Sequence, residues 1–168
     1  VMGHELTHGF DDQGRKFDPD GKLSEWWEPP VSAKFEERAK CITDLYESYE
    51  VQPGLHLNGK LTLGENIADF GGIKQAFGAY KKWAEEHPDL DKPAVPGLAN
   101  EQLFFVGFGQ TWCTLMTPEA ERMLVTVDPH SNARFRVRGP LSNFASFSSV
   151  FQCVEGTPMH PKDACEVW

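Results

Sequence analysis

The sequence predicts a mainly helical fold with little strand, on three observations. Apolar side chains recur at three- and four-residue steps over two long stretches, the period of amphipathic helices. Two histidines stand four residues apart at the start of the chain, which places them one turn apart on a helix. Proline falls at the start of or between these stretches rather than inside them, so punctuation and periodicity agree.

The elements follow in order. A first helix carries His4 and His8 and ends near Gly9. A polar loop holding Asp18-Pro-Asp-Gly21 then gives a turn signal. A second helix follows Pro29-Pro30, with Phe35, Ala39, Ile42, Leu45, Tyr46 and Tyr49 on its apolar face. A third runs from about Leu63 to Glu86 and carries Ile67, Phe70, Phe77, Tyr80 and Trp83. Gly71 and Gly72 weaken it as a helix but permit close approach of a neighbour. Residues 87–98 form a proline-rich surface loop, too short to divide domains. Helices resume near Asn100, Pro118 and Ser142, and no internal repeat or low-complexity tract interrupts the pattern.

The chemistry concentrates in His4-Glu-Leu-Thr-His8. On a helix the two imidazoles are separated by about 40° and about 6 Å of rise, so both can reach one tetrahedral ion. Glu5 lies to the side of the pair, where its carboxylate can take a proton from water in an open coordination position. This is the zincin pattern, and it calls for one zinc ion. Two histidines leave a third protein ligand to be found. It is sought in Thr62-Leu-Gly-Glu-Asn-Ile-Ala-Asp-Phe-Gly-Gly72, where Glu65 stands 57 positions beyond His8 (65 − 8) and shares a helix face with Asp69. A helix-borne carboxylate supplies an anionic oxygen, and a second acid one turn on suits the outer N–H of a ligating histidine.

With these strings in place, the chain resembles the neprilysin and endothelin-converting-enzyme family of zinc metallopeptidases, within the gluzincins. The resemblance runs from Gly3-His-Glu-Leu-Thr-His-Gly-Phe-Asp-Asp-Gln-Gly-Arg15 through Leu57-Asn-Gly, Leu63-Gly-Glu-Asn-Ile-Ala-Asp69 and Gln102-Leu-Phe-Phe105 to Cys165-Glu-Val-Trp168. It implies a zincin-like, thermolysin-like catalytic helical subdomain. It also implies zinc on His4, His8 and Glu65, Glu5 as general base, and Asp69 as a supporting acid. In Asp128-Pro-His-Ser-Asn-Ala-Arg-Phe-Arg136 it implies that His130 steadies the tetrahedral intermediate and that Arg136 holds a substrate carbonyl. Arg134, Arg136 and Arg138 alternate, which would set all three on one side of a strand, and only the resemblance selects among them. Val1, Trp112 and Val137 match positions that line the family's apolar pocket. A general base beside a zinc-held water then predicts peptide-bond hydrolysis. The Gly-x-Met-Glu-Asn motif of gluzincin aminopeptidases does not occur, and the resemblance implies cleavage inside oligopeptides, on the amino side of apolar residues.

Composition bounds the partners. The 168 residues, 40% of them apolar, suffice for one compact domain. Twenty-five acids against sixteen bases give a net charge of −9 with no dense basic run, which argues against nucleic acid. No apolar run approaches the roughly 20 residues of a membrane span. No Ser or Asp precedes the first helix as a cap. Residues 1–168 are therefore expected to be the C-terminal part of a longer metallopeptidase, the upstream portion being a partner alongside peptide substrates. The four cysteines lack zinc-ribbon or redox spacing. The resemblance implies a Cys41–Cys165 disulfide, with Cys113 and Cys153 pairing upstream, and hence an extracytoplasmic location. It also implies an upstream substrate-aligning strand and a helical cap. A zinc-binding fragment or pseudoenzyme without turnover is the alternative. Glu5 speaks for an enzyme lineage, since a purely structural site has no need of a carboxylate beside water.

Overall fold

The computed structural model describes residues 1–89 and 91–168. Seven α-helices and one small sheet make up these residues: α1 (Met2–His8), α2 (Pro29–Glu47), β1 (Glu50–Gln52), β2 (Leu55–His56), α3 (Leu63–Glu86), α4 (Asn100–Gln110), α5 (Pro118–Val127), α6 (Ala133–Ser142) and α7 (Ala145–Val150). The mainly helical fold expected from the periodicity is what forms. The sheet is a single antiparallel pair in which Glu50 faces His56 and Gln52 faces Leu55, with an irregularity between.

Local sequence explains most of the boundaries. Gly9 ends α1, and the Phe10 N–H just after it donates to the Thr7 carbonyl at 2.8 Å. Pro29 and Pro30 open α2, where the missing N–H groups have no intrahelical partner to lose. Thr117 caps α5 by accepting a hydrogen bond from the Ala120 N–H at 3.2 Å, with Pro118 at the first helical position. Of the loop expected over 87–98, Leu90 lies outside the described residues, and the remainder is non-helical.

One expectation is corrected. Residues 133–142 are helix α6, not an extended segment, and a further helix, α7, begins at Ala145. Residues two apart on a helix point to nearly opposite sides and residues four apart share one, so Arg136 faces away from Arg134 and Arg138. Arg134 donates to the Glu50 and Val51 carbonyls, Arg138 lies 5.3 Å from the Tyr49 ring centroid, and Arg136 turns to Asp69. Pro140 sits within the last turn of α6, where Gly139-Pro140 reads locally as a breaker.

The long α3, about 36 Å at 1.5 Å per residue, spans two apolar cores. Its first half meets the apolar face of α2, where Ile42 and Tyr46 are fully buried beside Ile67 and Phe135. Its second half carries Ile73 and Phe77 against an aromatic cluster built on Phe105, Phe144 and Phe147. Between these contacts α1 lies directly on α3. A Cβ at Gly72 would stand 2.8 Å from the His4 backbone nitrogen, so glycine there is what lets the two helices touch. The disulfide Cys41–Cys165 ties α2 to the C-terminal tail across 124 residues. Closing so long a loop restricts the unfolded chain, and replacing both cysteines by serine is expected to lower unfolding stability by roughly 2–5 kcal/mol. Denaturant titration of the two forms measures it; equal midpoints would contradict it.

Candidate metal centre and cleft

The first turn of α3 and the two turns of α1 bring three side chains to one point. His4 Nε2 and His8 Nε2 are 3.1 Å apart, Glu65 Oε2 is 3.2 Å from His4 Nε2, and Glu65 Oε1 is 3.6 Å from His8 Nε2. Each residue offers one donor atom within 4.8 Å of the others. The far side of each ring is engaged: His4 Nδ1 meets Asp69 Oδ1 at 2.9 Å, and His8 Nδ1 meets Asp11 Oδ2 at 2.7 Å. A carboxylate can only accept, so Nδ1 carries the proton in both rings and both Nε2 atoms present lone pairs inward.

Two lone pairs and a carboxylate facing one another repel unless a cation lies among them. Glu65 Oε2 is also buried without a hydrogen-bond partner; His130 Nε2 at 3.2 Å and Arg136 Nη2 at 3.7 Å approach it without the alignment of a hydrogen bond. The observed donor separations bracket the ~3.4 Å edge of a tetrahedron with bonds of about 2.0–2.1 Å. The residues therefore fit a single divalent ion, and the N₂O donor set suits zinc.

The electrostatics follow the same contacts. The hydrogen bond to Asp69 holds the His4 imidazole above its ordinary value of 6.5, against an opposing effect of burial. Asp69, 4% exposed, also receives Arg136 through Nε at 2.7 Å and Nη2 at 2.8 Å. Burial works against the Arg136 charge, but the paired Asp69 outweighs it and raises its pKa. The guanidinium lies 4.1 Å from the Trp112 ring centroid, a cation–π contact at the cleft wall.

A cleft of about 390 Å³ opens beside this cluster, lined among others by Val1, His4, Glu5, Phe108, Trp112 and His130. Glu5 and His4 thus share one wall, with His130 and Arg136 also on the lining. Val1 and Trp112 border the cleft as well. Val137 does not: it packs partly buried against the Phe105 core. His130 is held by Asp128 Oδ1, which accepts from both its backbone N–H and Nδ1 at 2.8 Å. Burial alone would raise the Asp128 carboxyl, but these two bonds hold it below the ordinary range.

Asp11 and Asp128 were not singled out from the sequence. Each lies within three residues of the histidine it touches, so short-range acid–histidine spacing was the available signal. The turn after Gly9 brings Asp11 back to His8, and its other oxygen accepts from the Gln13 and Gly14 N–H groups at 2.8 and 2.6 Å. Cys113 and Cys153 are free thiols in this structure. No described helix is long and apolar enough to cross a membrane.

The model for peptidase family M13 matches residues 1–167. Endothelin-converting enzyme 1 of Cavia porcellus is 49% identical over 168 residues, covering all of this chain and 22% of that protein. Neprilysin-1 of Caenorhabditis elegans is 50% identical over 171 residues, covering all of this chain and 23% of that protein. Among solved structures, the zinc metalloprotease ZMP1 of Mycobacterium tuberculosis in complex with inhibitor superposes with a TM-score of 0.91 at 35% identity, over all of this chain and 26% of that one. The chain therefore spans about a fifth of the length of the curated relatives it matches.

Proposed function

The chain belongs to peptidase family M13, and on that premise we propose that its cleft is the active site of a zinc metalloendopeptidase that cuts oligopeptides on the amino side of apolar residues. The observation that carries the reading is the convergence of the His4 and His8 Nε2 lone pairs on Glu65, with both outer N–H groups held by carboxylates and Glu5 on the adjoining wall.

His4, His8 and Glu65 would hold the ion. Bound zinc polarises a carbonyl oxygen and brings the pKa of a water molecule it holds to about 7. Glu5 accepts a proton on its carboxylate and returns it to the departing amine, one group serving as base and then as acid. His130, with Nδ1–H on Asp128, turns Nε2 toward the cleft; in the imidazolium form both ring nitrogens donate, and Nε2–H then meets the negative charge that develops on the former carbonyl oxygen. Arg136 binds the substrate backbone from a frame set by Asp69, which supports His4 at the same time. Trp112 and Val1 give the cleft its apolar surface, the feature that favours an apolar side chain beyond the cut bond.

The same reading gives residues 1–168 as the C-terminal part of a catalytic domain, with Cys113 and Cys153 pairing with upstream segments. The Cys41–Cys165 disulfide favours an oxidising, extracytoplasmic setting. The small share of the relatives' length covered here favours a second reading, a zinc-holding fragment that turns over only with the rest of its parent. Mass-spectrometric mapping of products from an apolar peptide library tests the specificity. Internal cuts before Phe, Leu or Ile are expected; exclusive release of single N-terminal residues would contradict the proposal. Asp11→Ala is expected to weaken zinc affinity about 10–100-fold by freeing the His8 ring, as loss of an outer hydrogen-bond partner does. Competition with a chromogenic chelator measures it, and unchanged affinity would remove Asp11 from the account.

A further inference from the structure

Three buried side chains form a hydrogen-bonded chain beneath the cleft that none of the steps above uses. Ser131 Oγ donates to Asn66 Oδ1 at 2.8 Å, Asn66 Nδ2 donates to Thr62 Oγ1 at 2.9 Å, and Thr62 Oγ1 donates to the Asn58 carbonyl at 3.1 Å. Ser131, Asn66 and Thr62 are 4%, 0% and 2% exposed, so water does not compete for these bonds. The direction of the chain is fixed by chemistry. Thr62 gives its only hydrogen to Asn58, must therefore accept from the Asn66 amide nitrogen, and so leaves the Asn66 oxygen to face Ser131.

The two ends of the Ser131–Asn66 bond are each one residue from the site: Asn66 follows Glu65 in α3, and Ser131 follows His130. We propose that Asn66 and Ser131 are positioning residues that hold His130 against the metal cluster; this rests on the reading of His130 given above. Asp128 orients the His130 ring only relative to its own loop, because both of its bonds are to His130 itself. The loop as a whole is tied to α3 downstream by Arg136 on Asp69. The Ser131–Asn66 bond, across 65 residues of sequence, adds the fixed point next to His130 and sets the 3.2 Å approach of its Nε2 to Glu65 Oε2. An amide is the side chain that can do this, since Asn66 must accept from Ser131 and donate to Thr62 at once.

In the active enzyme, Ser131→Ala is expected to lower kcat by about 10–100-fold, the cost of a displaced catalytic group, with KM and zinc content unchanged. Ser131→Thr, which keeps the hydroxyl, should recover most of the rate. In a His130→Ala background the Ser131→Ala change should cost nothing further. An equal loss in both backgrounds would overturn the proposal, because Ser131 would then act through the fold at large. A His130→Ala variant with full kcat would instead sink the catalytic reading of His130. A second measurement is independent of turnover: NMR relaxation of the ¹³C-labelled histidine rings in the 168-residue chain. Ser131→Ala should loosen the His130 ring and leave His4 and His8 as ordered as before; an unchanged His130 ring would overturn the positioning role whatever His130 does.

Discussion

Glu5→Gln is expected to abolish peptide cleavage, by at least about 10²–10⁴ in kcat, the contribution of a placed acid–base group, while zinc content stays at its original level. Glu5 is not among the three converging donors, and glutamine has the same shape with no charge to accept a proton. Its neighbours on the cleft wall, His4 and His130, keep their own carboxylate partners in Asp69 and Asp128. The change therefore removes proton transfer and little else. Turnover against a quenched apolar peptide, with metal analysis on the same preparation, measures both quantities. Loss of zinc together with activity would contradict the assignment of Glu5 as base and make it part of the ligand set.

His4→Ala is expected to remove both metal and activity. It takes away one of three donors, and the loss of zinc affinity should exceed the roughly 10–100-fold that outer hydrogen-bond partners contribute. Retained zinc at full stoichiometry would refute its role. The pH dependence of the unsubstituted chain gives a companion test. The hydrogen bond to Asp69 raises the His4 pKa above 6.5, and a protonated ring has no lone pair for a metal. Zinc affinity should therefore fall as pH is lowered through that raised value. The metal-free chain should show the opposite trend for this group. A folded pKa above the unfolded one contributes stability that is present at low pH and is lost as pH rises through the folded value. Thermal unfolding between about pH 6 and about pH 8, with and without zinc, separates the two slopes.

What the sequence disclosed and what it withheld divide along physical lines. Helices α2 and α3 were legible because their apolar faces repeat with the helical period and their ends carry proline or threonine. The histidine pair was legible because four-residue spacing on a helix is a local geometric fact. Gly71 and Gly72 were read as a close helix contact, and α1 is the helix that fills it. Helix α6 was not legible. Its three arginines serve different partners on two opposite sides, so no apolar stripe marks it, and Gly139-Pro140 near its end mimics a break. Asp11 and Asp128 depend on how short turns fold back, which spacing alone does not fix. The Ser131–Asn66 bond joins segments 65 residues apart and leaves no periodic trace at either end.

The central claim is that His4, His8 and Glu65 hold a zinc ion at which this cleft hydrolyses peptides. It is tested most directly by determining zinc content and cleavage of an internally quenched apolar peptide on one sample, before and after chelation. The account predicts about one zinc per chain, matching the single three-donor cluster, and cleavage that stops on chelation and returns when zinc is restored. Cleavage that survives removal of the metal, or a chain that takes up no zinc in zinc-replete buffer, would contradict it.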